Sequence, residues 1–458
     1  MLPEDFSINS LKSPVLEGKT RSEGWRKAQL ETIEIILEKH EHDIINALKA
    51  DLGKPETEAL FELIALKQEL KLTRKNLRSW MRPKRIDVPL YLQPGGAKII
   101  PEPLGCVLII GAWNYPFMLT IQPLISALAA GNTAVIKPSE FSPETSNLIN
   151  HLFSEYFSKN VVRVLQGDGD FSKNLVGKKF DHIFFTGGSK TGSKVMEAAA
   201  KNLTPVTLEL GGKNPAIVIN GADIDITAKR LVWGKCLNAG QTCLAPNHIL
   251  VEENIKTPLI KAIKKNIREF YGKDPLSSNQ IGKINFRQFA KVTQFIETAR
   301  RKQQILFGGD VNEKDQKISP ALIDLKDWDD SLIEEEIFGP ILPILSINNL
   351  ESALSNIRSK EKPLAIYMFG GSSIDQQKLL ETTSSGGVCF NDVVMQAGIP
   401  ELPFGGVGTS GMGIYQGKAG FDNFTHYKSV LKRPFWLDLN FRYPPYKMDI
   451  SLLKKLLG

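Results

Sequence analysis

Between Gly105 and Ile219 the chain alternates short apolar runs with helical stretches, and few architectures can absorb that pattern. The apolar runs are Val107–Ile110, Ala134–Ile136, Val161–Leu165, His182–Phe185, Val206–Leu208 and Ala216–Ile219. Stretches near 119–130, 143–157 and 189–202 separate them with helical spacing. Runs this apolar are strands buried on both faces, and helices between such strands act as crossovers. The pattern implies a parallel, doubly wound sheet, which binds ligands at the carboxyl ends of its strands.

The flanks differ. The first 80 residues carry Ile33, Ile36 and Leu37, then Ile44, Ile45 and Leu48, at helical spacing. Pro83, Pro89, Pro94, Gly95 and Gly96 break this pattern, and Asp87–Gln93 reads as an edge strand because proline is tolerated there. After Ile219 a second α/β region follows. A helix over 223–237 leads to Cys243 and a strand at His248–Val251, with helices over 256–270 and 286–303. Strands are expected at Ile341–Ile347, Leu364–Phe369 and Gly387–Asn391. Six glycines in 404–417 mark a loop whose backbone closely approaches something. No internal repeat or low-complexity linker interrupts the chain.

At 458 residues one core is too large, so two or three lobes are expected. The longest mostly apolar stretch, Phe117–Ala130, contains Gln122 and Pro123 and falls short of the about 20 residues of a bilayer span. The start, MLPEDFSINS, has no basic segment followed by an apolar run and does not read as a secretory signal. Cys106, Cys236, Cys243 and Cys389 are too scattered for a disulfide framework or a zinc site, and no metal is expected. A cytoplasmic setting fits four free thiols. The net charge is +7, of which residues 427–458 hold +5. The nearly neutral remainder argues against binding nucleic acid.

Four segments carry chemistry. In Gly240-Gln-Thr-Cys243 the thiol sits in a polar segment before an apolar strand, whereas Cys106 and Cys389 lie within strands and Cys236 on a helix. Position alone leaves Cys243 either a nucleophile or an inert loop thiol. Gly187-Gly-Ser-Lys-Thr-Gly192 follows a strand and opens a helix, a spacing that turns backbone N–H groups toward a phosphate. It lacks the middle glycine of a dinucleotide fingerprint and the ending of a P-loop. Glu209, at a strand end before Gly211-Gly212, is either a base with a raised pKa or a solvated carboxylate. Asn114 offers an amide donor among Trp113, Tyr115 and Phe117, or belongs to a structural turn.

Together these motifs resemble the aldehyde dehydrogenase family. The likeness rests on Gly111-Ala-Trp-Asn-Tyr-Pro-Phe117, Lys137-Pro-Ser-Glu140, Phe185-Thr-Gly187, Leu208-Glu-Leu-Gly-Gly-Lys213, Gly240-Gln-Thr-Cys243, Glu335-Glu-Ile-Phe-Gly-Pro340 and Leu402-Pro-Phe-Gly-Gly406, in the family's order across 105–426. The short N-terminus and the Pro-Phe-Trp tail resemble its class-3, fatty-aldehyde branch.

The resemblance implies an α/β fold with a Rossmann-like cofactor domain (1–81 and 105–210) and an α/β catalytic domain (211–417), the latter returning toward the cofactor domain over about 392–417. A β-strand bridging element (82–104 and 418–434) pairs subunits into a homodimer, ahead of a basic aromatic tail (435–458). It implies oxidation of aldehydes, medium or long aliphatic or extended unsaturated, with Cys243 thiolate as nucleophile. The Asn114 amide and the Cys243 N–H stabilise the oxyanion, and Glu209 activates the water that cleaves the thioester. Lys137 and Glu140 meet the adenosine ribose, which favours NAD while leaving NADP possible. Glu336 and Phe338 hold the nicotinamide side, and Trp113, Gly187 and Ser189 the pyrophosphate side. The run Gly187-Gly188-Ser189 departs from relatives that carry Ser or Asn there, which loosens pyrophosphate contacts. Trp113, Tyr115 and Phe117 form an apolar entrance, with Tyr115 in the substrate pocket.

The tail has two readings. Ile450, Leu452, Leu453, Leu456 and Leu457 share one helical face that packs on the partner subunit or caps the substrate funnel. Alternatively this face, Phe435, Trp436, Phe441, Tyr443, Tyr446 and the positive charge make peripheral membrane contact. Two rivals remain for the whole chain. A CoA-acylating relative has no use for Glu209, and a non-enzymatic homologue has no need to keep Cys243, Glu209 and Asn114 together.

Overall fold

The computed structural model describes residues 2–457, without the side chains of Phe441, Leu456 and Leu457. Parts of the expected tail face, and Gly458, therefore lie outside the described residues. Four helices come first, α1 (Ile8–Leu16), α2 (Glu23–Lys39), α3 (Glu41–Leu52) and α4 (Glu56–Trp80). The buried stripe of α4, Leu63, Leu66, Leu70 and Leu77, follows the helical period and faces the core. Between α4 and the first large sheet run β1 (Lys84–Ile86) and β2 (Gly96–Pro103), paired antiparallel. The edge strand expected at Asp87–Gln93 does not form. Leu90–Leu92 is a 3-10 turn, bracketed by two prolines that cannot donate to a ladder.

The first large sheet contains β3 (Cys106–Ile110), β4 (Thr133–Lys137), β5 (Val162–Val164), β6 (His182–Thr186) and β7 (Val206–Glu209). All five run parallel in the order β7-β6-β3-β4-β5. Helices α5 (Met118–Ala129), α6 (Pro143–Tyr156), α7 (Gly169–Val176) and α8 (Ser189–Ala200) connect them. The sequence reading missed α7, a short helix whose N-terminus Asp168 caps. Alternate residues of β3 enter separate cores. Val107 and Ile109 pack with α2–α6, and Leu108 and Ile110 pack with α7 and α8. Burial on both faces explains why these strands read as continuous apolar runs.

The chain crosses to the second sheet through residues 210–214. There β8 (Pro215–Val218) and β9 (His248–Glu252) flank α9 (Ile224–Cys236). The sheet adds β10 (Ile305–Phe307), and a hairpin of β11 (Val311–Asn312) and β12 (Lys317–Ile318) projects before β13 (Ala321–Leu325). After β14 (Ile341–Ile347), β15 (Ala365–Phe369) and β16 (Gly387–Phe390), the order is β10-β13-β14-β9-β8-β15-β16. Only β10 runs antiparallel.

The glycine-rich loop folds on itself, with Phe404 bridged to Tyr415 and a Cβ on Gly406 only 2.0 Å from the Ser410 carbonyl oxygen. Its short strand β17 (Gly411–Met412) pairs antiparallel with β7, opposite Glu209 and Leu208. The close approach expected of these glycines is thus to their own loop and to the strand bearing Glu209. Finally β18 (Thr425–Lys432) pairs along all of β2, giving a sheet β1-β2-β18. No helix among the described residues is long and apolar enough to cross a membrane.

Charge is buried beneath the first sheet. Lys54 and Glu62 form an ion pair with both side chains fully buried, and Glu62 also accepts the Met118 N–H at 2.9 Å. Glu69 accepts the Gly417 N–H at 2.8 Å, tying α4 to the returning C-terminal segment, and burial pushes its carboxyl up to about 7. Removing one partner of a buried pair strands the other charge. Lys54→Met is therefore expected to destabilise the fold by about 3–5 kcal/mol, read from the shift in a urea unfolding midpoint.

Candidate active site

The loop after α9 is built to present Cys243. Asn238, Ala239 and Gly240 take φ of 53°, 53° and 79°, three successive left-handed residues. Only the third must be glycine, since a Cβ there lies 2.3 Å from the carbonyl carbon of Gly339. The fully buried Gln241 then anchors the turn. Its amide nitrogen donates to the carbonyls of Asn238 at 3.0 Å and Lys283 at 2.8 Å, and its amide oxygen accepts the Asn285 N–H at 2.7 Å. Asn214 donates to the Cys243 carbonyl at 2.7 Å and the Ala245 carbonyl at 3.1 Å, and Tyr367 hydroxyl donates to the Leu244 carbonyl at 2.6 Å. Backbone on both sides of the half-buried thiol is fixed.

Asn114 joins this loop directly. Its amide donates one proton to the Gln241 carbonyl at 3.1 Å, and its backbone carbonyl accepts from the Asn238 amide at 2.7 Å. Asn238 donates to the same Gln241 carbonyl at 3.1 Å. The second proton of the Asn114 amide is left for another acceptor. Tyr115 lies 2.7 Å through its hydroxyl from Thr242, and its ring faces the Lys54 ammonium at 3.9 Å. Phe117, expected at the entrance, is wholly buried in the helical core. Trp113 packs edge-on against Phe338 at 5.4 Å. These aromatics therefore do not form the single apolar entrance read from sequence.

Glu209, 3% exposed at the end of β7, has no hydrogen-bond partner on either carboxylate oxygen. Burial holds its carboxyl well above the ordinary range, so its ionised form is a strong base. Glu336 is also pushed up by burial, and it accepts the Gly212 N–H at 2.9 Å. The Cys243 thiol is pushed up to about 12, first by burial and then by Glu336 and Glu209, against backbone N–H donation from Leu244 and Cys243. Burial is the largest cause, and the two carboxylates that share these surroundings add to it. Cys106 and Cys236 are buried, and Cys389 lies half-buried on β16.

A cavity of about 190 Å³ opens beside this cluster, with Ser189, Gly211, Gly212, Glu336 and Thr409 among its walls. Ser189 begins α8 and donates to the Thr409 carbonyl at 3.2 Å, while the Gly187 N–H is taken by the Glu209 carbonyl at 2.9 Å. The α8 N-terminus has no side-chain cap, and Thr186 hydroxyl is buried without a partner. Lys137 and Glu140 pair with each other at the end of β4, apart from this cavity. An uncapped helix start, two glycines against the groove and a strand-end carboxylate fit a dinucleotide.

Sequence reasoning missed the residues that hold the loops. Besides Asn214, Asn238 and Gln241, Asn247 donates to the Leu332 and Glu335 carbonyls at 3.2 and 3.0 Å and accepts the Ile337 N–H at 3.0 Å. The available signal is three asparagines in Lys213-Asn-Pro, Leu237-Asn-Ala and Pro246-Asn-His, polar amides beside apolar elements where only backbone could satisfy them.

The structure thus brings a cysteine, an asparagine amide and an unpaired carboxylate to one cleft between two α/β sheets. The aldehyde dehydrogenase family profile matches residues 19–430, and the chain belongs to that family. It is 42% identical to aldehyde dehydrogenase family 3 member H1 of Arabidopsis thaliana, over 98% of this chain and 94% of that one. It is 42% identical to the 4,4'-diaponeurosporen-aldehyde dehydrogenase of Staphylococcus aureus, over 95% of each. A solved structure titled as the substrate-bound state of Staphylococcus aureus AldH superposes with a TM-score of 0.96 at 41% identity, covering 100% of both chains. The protein is an aldehyde dehydrogenase of the class-3 branch, a family that uses NAD(P).

With the thiol titrating near 12, its thiolate fraction rises about tenfold per pH unit below that value. Alkylation of Cys243 by iodoacetamide in the free protein is expected to speed up about tenfold per unit from pH 7 to 9. Peptide mapping follows the site, and a rate independent of pH contradicts the neutral thiol.

Proposed function

We propose that this protein oxidises aldehydes to carboxylic acids through an acyl group carried on Cys243. The observation that carries the reading is the tether of Asn114 to the Gln241 carbonyl, which holds a free amide proton next to the cysteine loop. As the Cys243 sulfur attacks the carbonyl carbon and a C–S bond forms, the thiol proton passes to the Glu209 carboxylate and from there to solvent. The carbonyl π electrons move onto oxygen, where the Asn114 amide and the Cys243 N–H receive the charge. A dinucleotide bound in the groove would supply the acceptor for the hydride of this oxyanion. Glu209 then takes a proton from water, hydroxide adds to the thioester, and the C–S bond breaks to release the acid. Burial raises the proton affinity of Glu209, which makes its carboxylate a stronger base for this step.

The dinucleotide is held by Lys137 and Glu140 at the ribose, Gly187, Ser189 and Trp113 at the pyrophosphate, and Glu336 and Phe338 at the nicotinamide side. Glu140 favours the 2′-hydroxyl of NAD. Its pairing with Lys137 neutralises it, which supports NADP as a second cofactor. The substrate class is medium or long aliphatic, or extended unsaturated, aldehydes. Support comes from the segment after β16, where Tyr367 hydroxyl accepts the Val394 N–H at 3.3 Å and Met395, Ile399 and Leu402 are exposed. Because Tyr367 hydroxyl also donates to the Leu244 carbonyl, this apolar segment is tied to the cysteine loop. The Staphylococcus aureus relative, named for 4,4'-diaponeurosporen-aldehyde, agrees with an apolar substrate.

The homodimer reading rests on β18, an eight-residue strand whose outer edge is unpaired within the described chain. Such an edge is a template for a second chain. Phe435, Trp436, Tyr446 and Ile450 are exposed beyond it, and we place them on the partner subunit. Truncation after Pro434 is expected to weaken the dimer in light scattering. An unchanged dimer that instead loses sedimentation with anionic vesicles gives the tail to a membrane.

Cys243→Ala should abolish oxidation yet keep dinucleotide binding, while Cys389→Ala stays near full rate. Retained activity in the first variant refutes the assignment. Glu209→Gln should release one burst of reduced dinucleotide and then turn over slowly; faster acyl transfer to CoA than to water in the parent indicates the CoA-acylating rival. Glu140→Gln should move the NADP to NAD ratio of kcat/KM up roughly tenfold, measured across a chain-length series of aldehydes.

A further inference from the structure

Glu58 lies outside every motif read from the sequence, on α4, yet it reaches the cysteine loop. Its carboxylate accepts the backbone N–H of Asn238 at 2.8 Å. Asn238 opens the run of three left-handed residues, so its N–H points away from any partner that α9 or a strand could supply. The Asn238 side chain then bridges the Asn114 and Gln241 carbonyls. The Gln241 carbonyl in turn accepts from the Asn114 amide. Each link is a single hydrogen bond between buried or half-buried groups, and the last one sets which way the free proton of Asn114 points.

Neighbours at four-residue spacing reinforce the geometry. Lys54, just before α4, faces the Tyr115 ring at 3.9 Å, and Glu62 accepts the Met118 N–H at 2.9 Å. Residues 54, 58 and 62 therefore form one charged stripe that touches the loop bearing Asn114 and the loop bearing Cys243. Of the three, Glu58 is the one bonded to the cysteine loop.

We infer that Glu58 is a positioning residue for the oxyanion donor, holding the Asn238 turn so that the Asn114 amide meets the developing charge. This rests on the proposed role of Asn114. The acceptor is what matters: Gln keeps an oxygen at the same reach, whereas Asn is one methylene too short to bridge from α4. Loss of the contact leaves the Asn238 N–H unpaired and lets the turn drift. The cost then falls on the transition state, where charge reaches the carbonyl oxygen, rather than on the binding of aldehyde or dinucleotide.

The test compares Glu58→Asn, Glu58→Gln, Asn114→Ala and the double variant Glu58→Asn/Asn114→Ala in the full chain. Glu58→Asn is expected to lower kcat about tenfold with aldehyde KM and dinucleotide Kd within about twofold, and Glu58→Gln to restore most of the rate. The double variant is expected to be no slower than Asn114→Ala alone, since a residue acting through another adds nothing once that one is gone. Wild-type kcat in Glu58→Asn overturns the inference, as does a double variant whose losses multiply. So does a Glu58→Gln as slow as Glu58→Asn, or a fall in dinucleotide affinity and melting temperature that tracks the rate. Full activity in Asn114→Ala instead removes the oxyanion role itself, an outcome separate from any result at residue 58.

Discussion

The carbonyl oxygen of Gln241 is where the two halves of the site are joined. It accepts from Asn114, which leaves β3 of the first sheet, and from Asn238, which follows α9 of the second. Without that oxygen in place, the amide and the thiol belong to separate loops on separate sheets. Its direction depends on a backbone conformation that costs free energy at each non-glycine residue. The structure therefore surrounds the turn with bonds that allow no other arrangement. Gln241 spends all three of its amide bonds on backbone, and Gly240 lies against Gly339 too closely for a side chain. Because Gly339 belongs to the segment bearing Glu336 and Phe338, the same contact brings in the third part of the cleft.

The reach of sequence reasoning follows from this. Strand and helix order was legible because β3, β4, β6 and β7 are buried on both faces and so are written as apolar runs. Cys243, Glu209 and Asn114 were legible because their motifs stand in a recognisable order, and the structure brings these three to one cleft. The Asp87–Gln93 strand failed because tolerance of proline at an edge does not ensure pairing: Pro89 and Pro94 withhold donors and Leu90–Leu92 closes into a turn. Phe117 failed for the opposite reason: an aromatic near a functional amide looks like a pocket wall, but β3 ends only a turn earlier and the side chain falls into the helical core. The supporting asparagines and Glu58 were invisible because their partners are backbone groups distant in sequence. Glu58 and Asn238 are 180 residues apart, and no local pattern records such a pairing.

The electrostatics of the cleft follow from the same closeness. Three groups that ionise to negative charge, Cys243, Glu209 and Glu336, share a space where burial already disfavours charge. Burial raises all three, and the two carboxylates raise the Cys243 thiol further. A site in that state does not hold a standing thiolate for adventitious electrophiles or oxidants to consume. A positive ring beside the sulfur would shift the balance, since it favours the negative form that the carboxylates oppose.

The position of Glu209 completes the argument. It is the last residue of β7, and only Leu210–Lys213 separate it from Asn214, which fixes the Cys243 carbonyl at the edge of the second sheet. One short covalent crossing thus carries Glu209, the glycines that line the groove, and the clamp on the Cys243 carbonyl. Its length leaves little freedom between the two sheets at this point, because each residue of extended chain spans at most about 3.6 Å. Both carboxylate oxygens of Glu209 can then stay unpaired without the side chain collapsing onto a donor elsewhere. Backbone bonds to β6 and β17 hold the strand end, while the cleft ahead offers no partner within the chain. An unsatisfied carboxylate in a dry cleft is costly to the fold, and the raised proton affinity of Glu209 has the same origin, its burial at the end of β7.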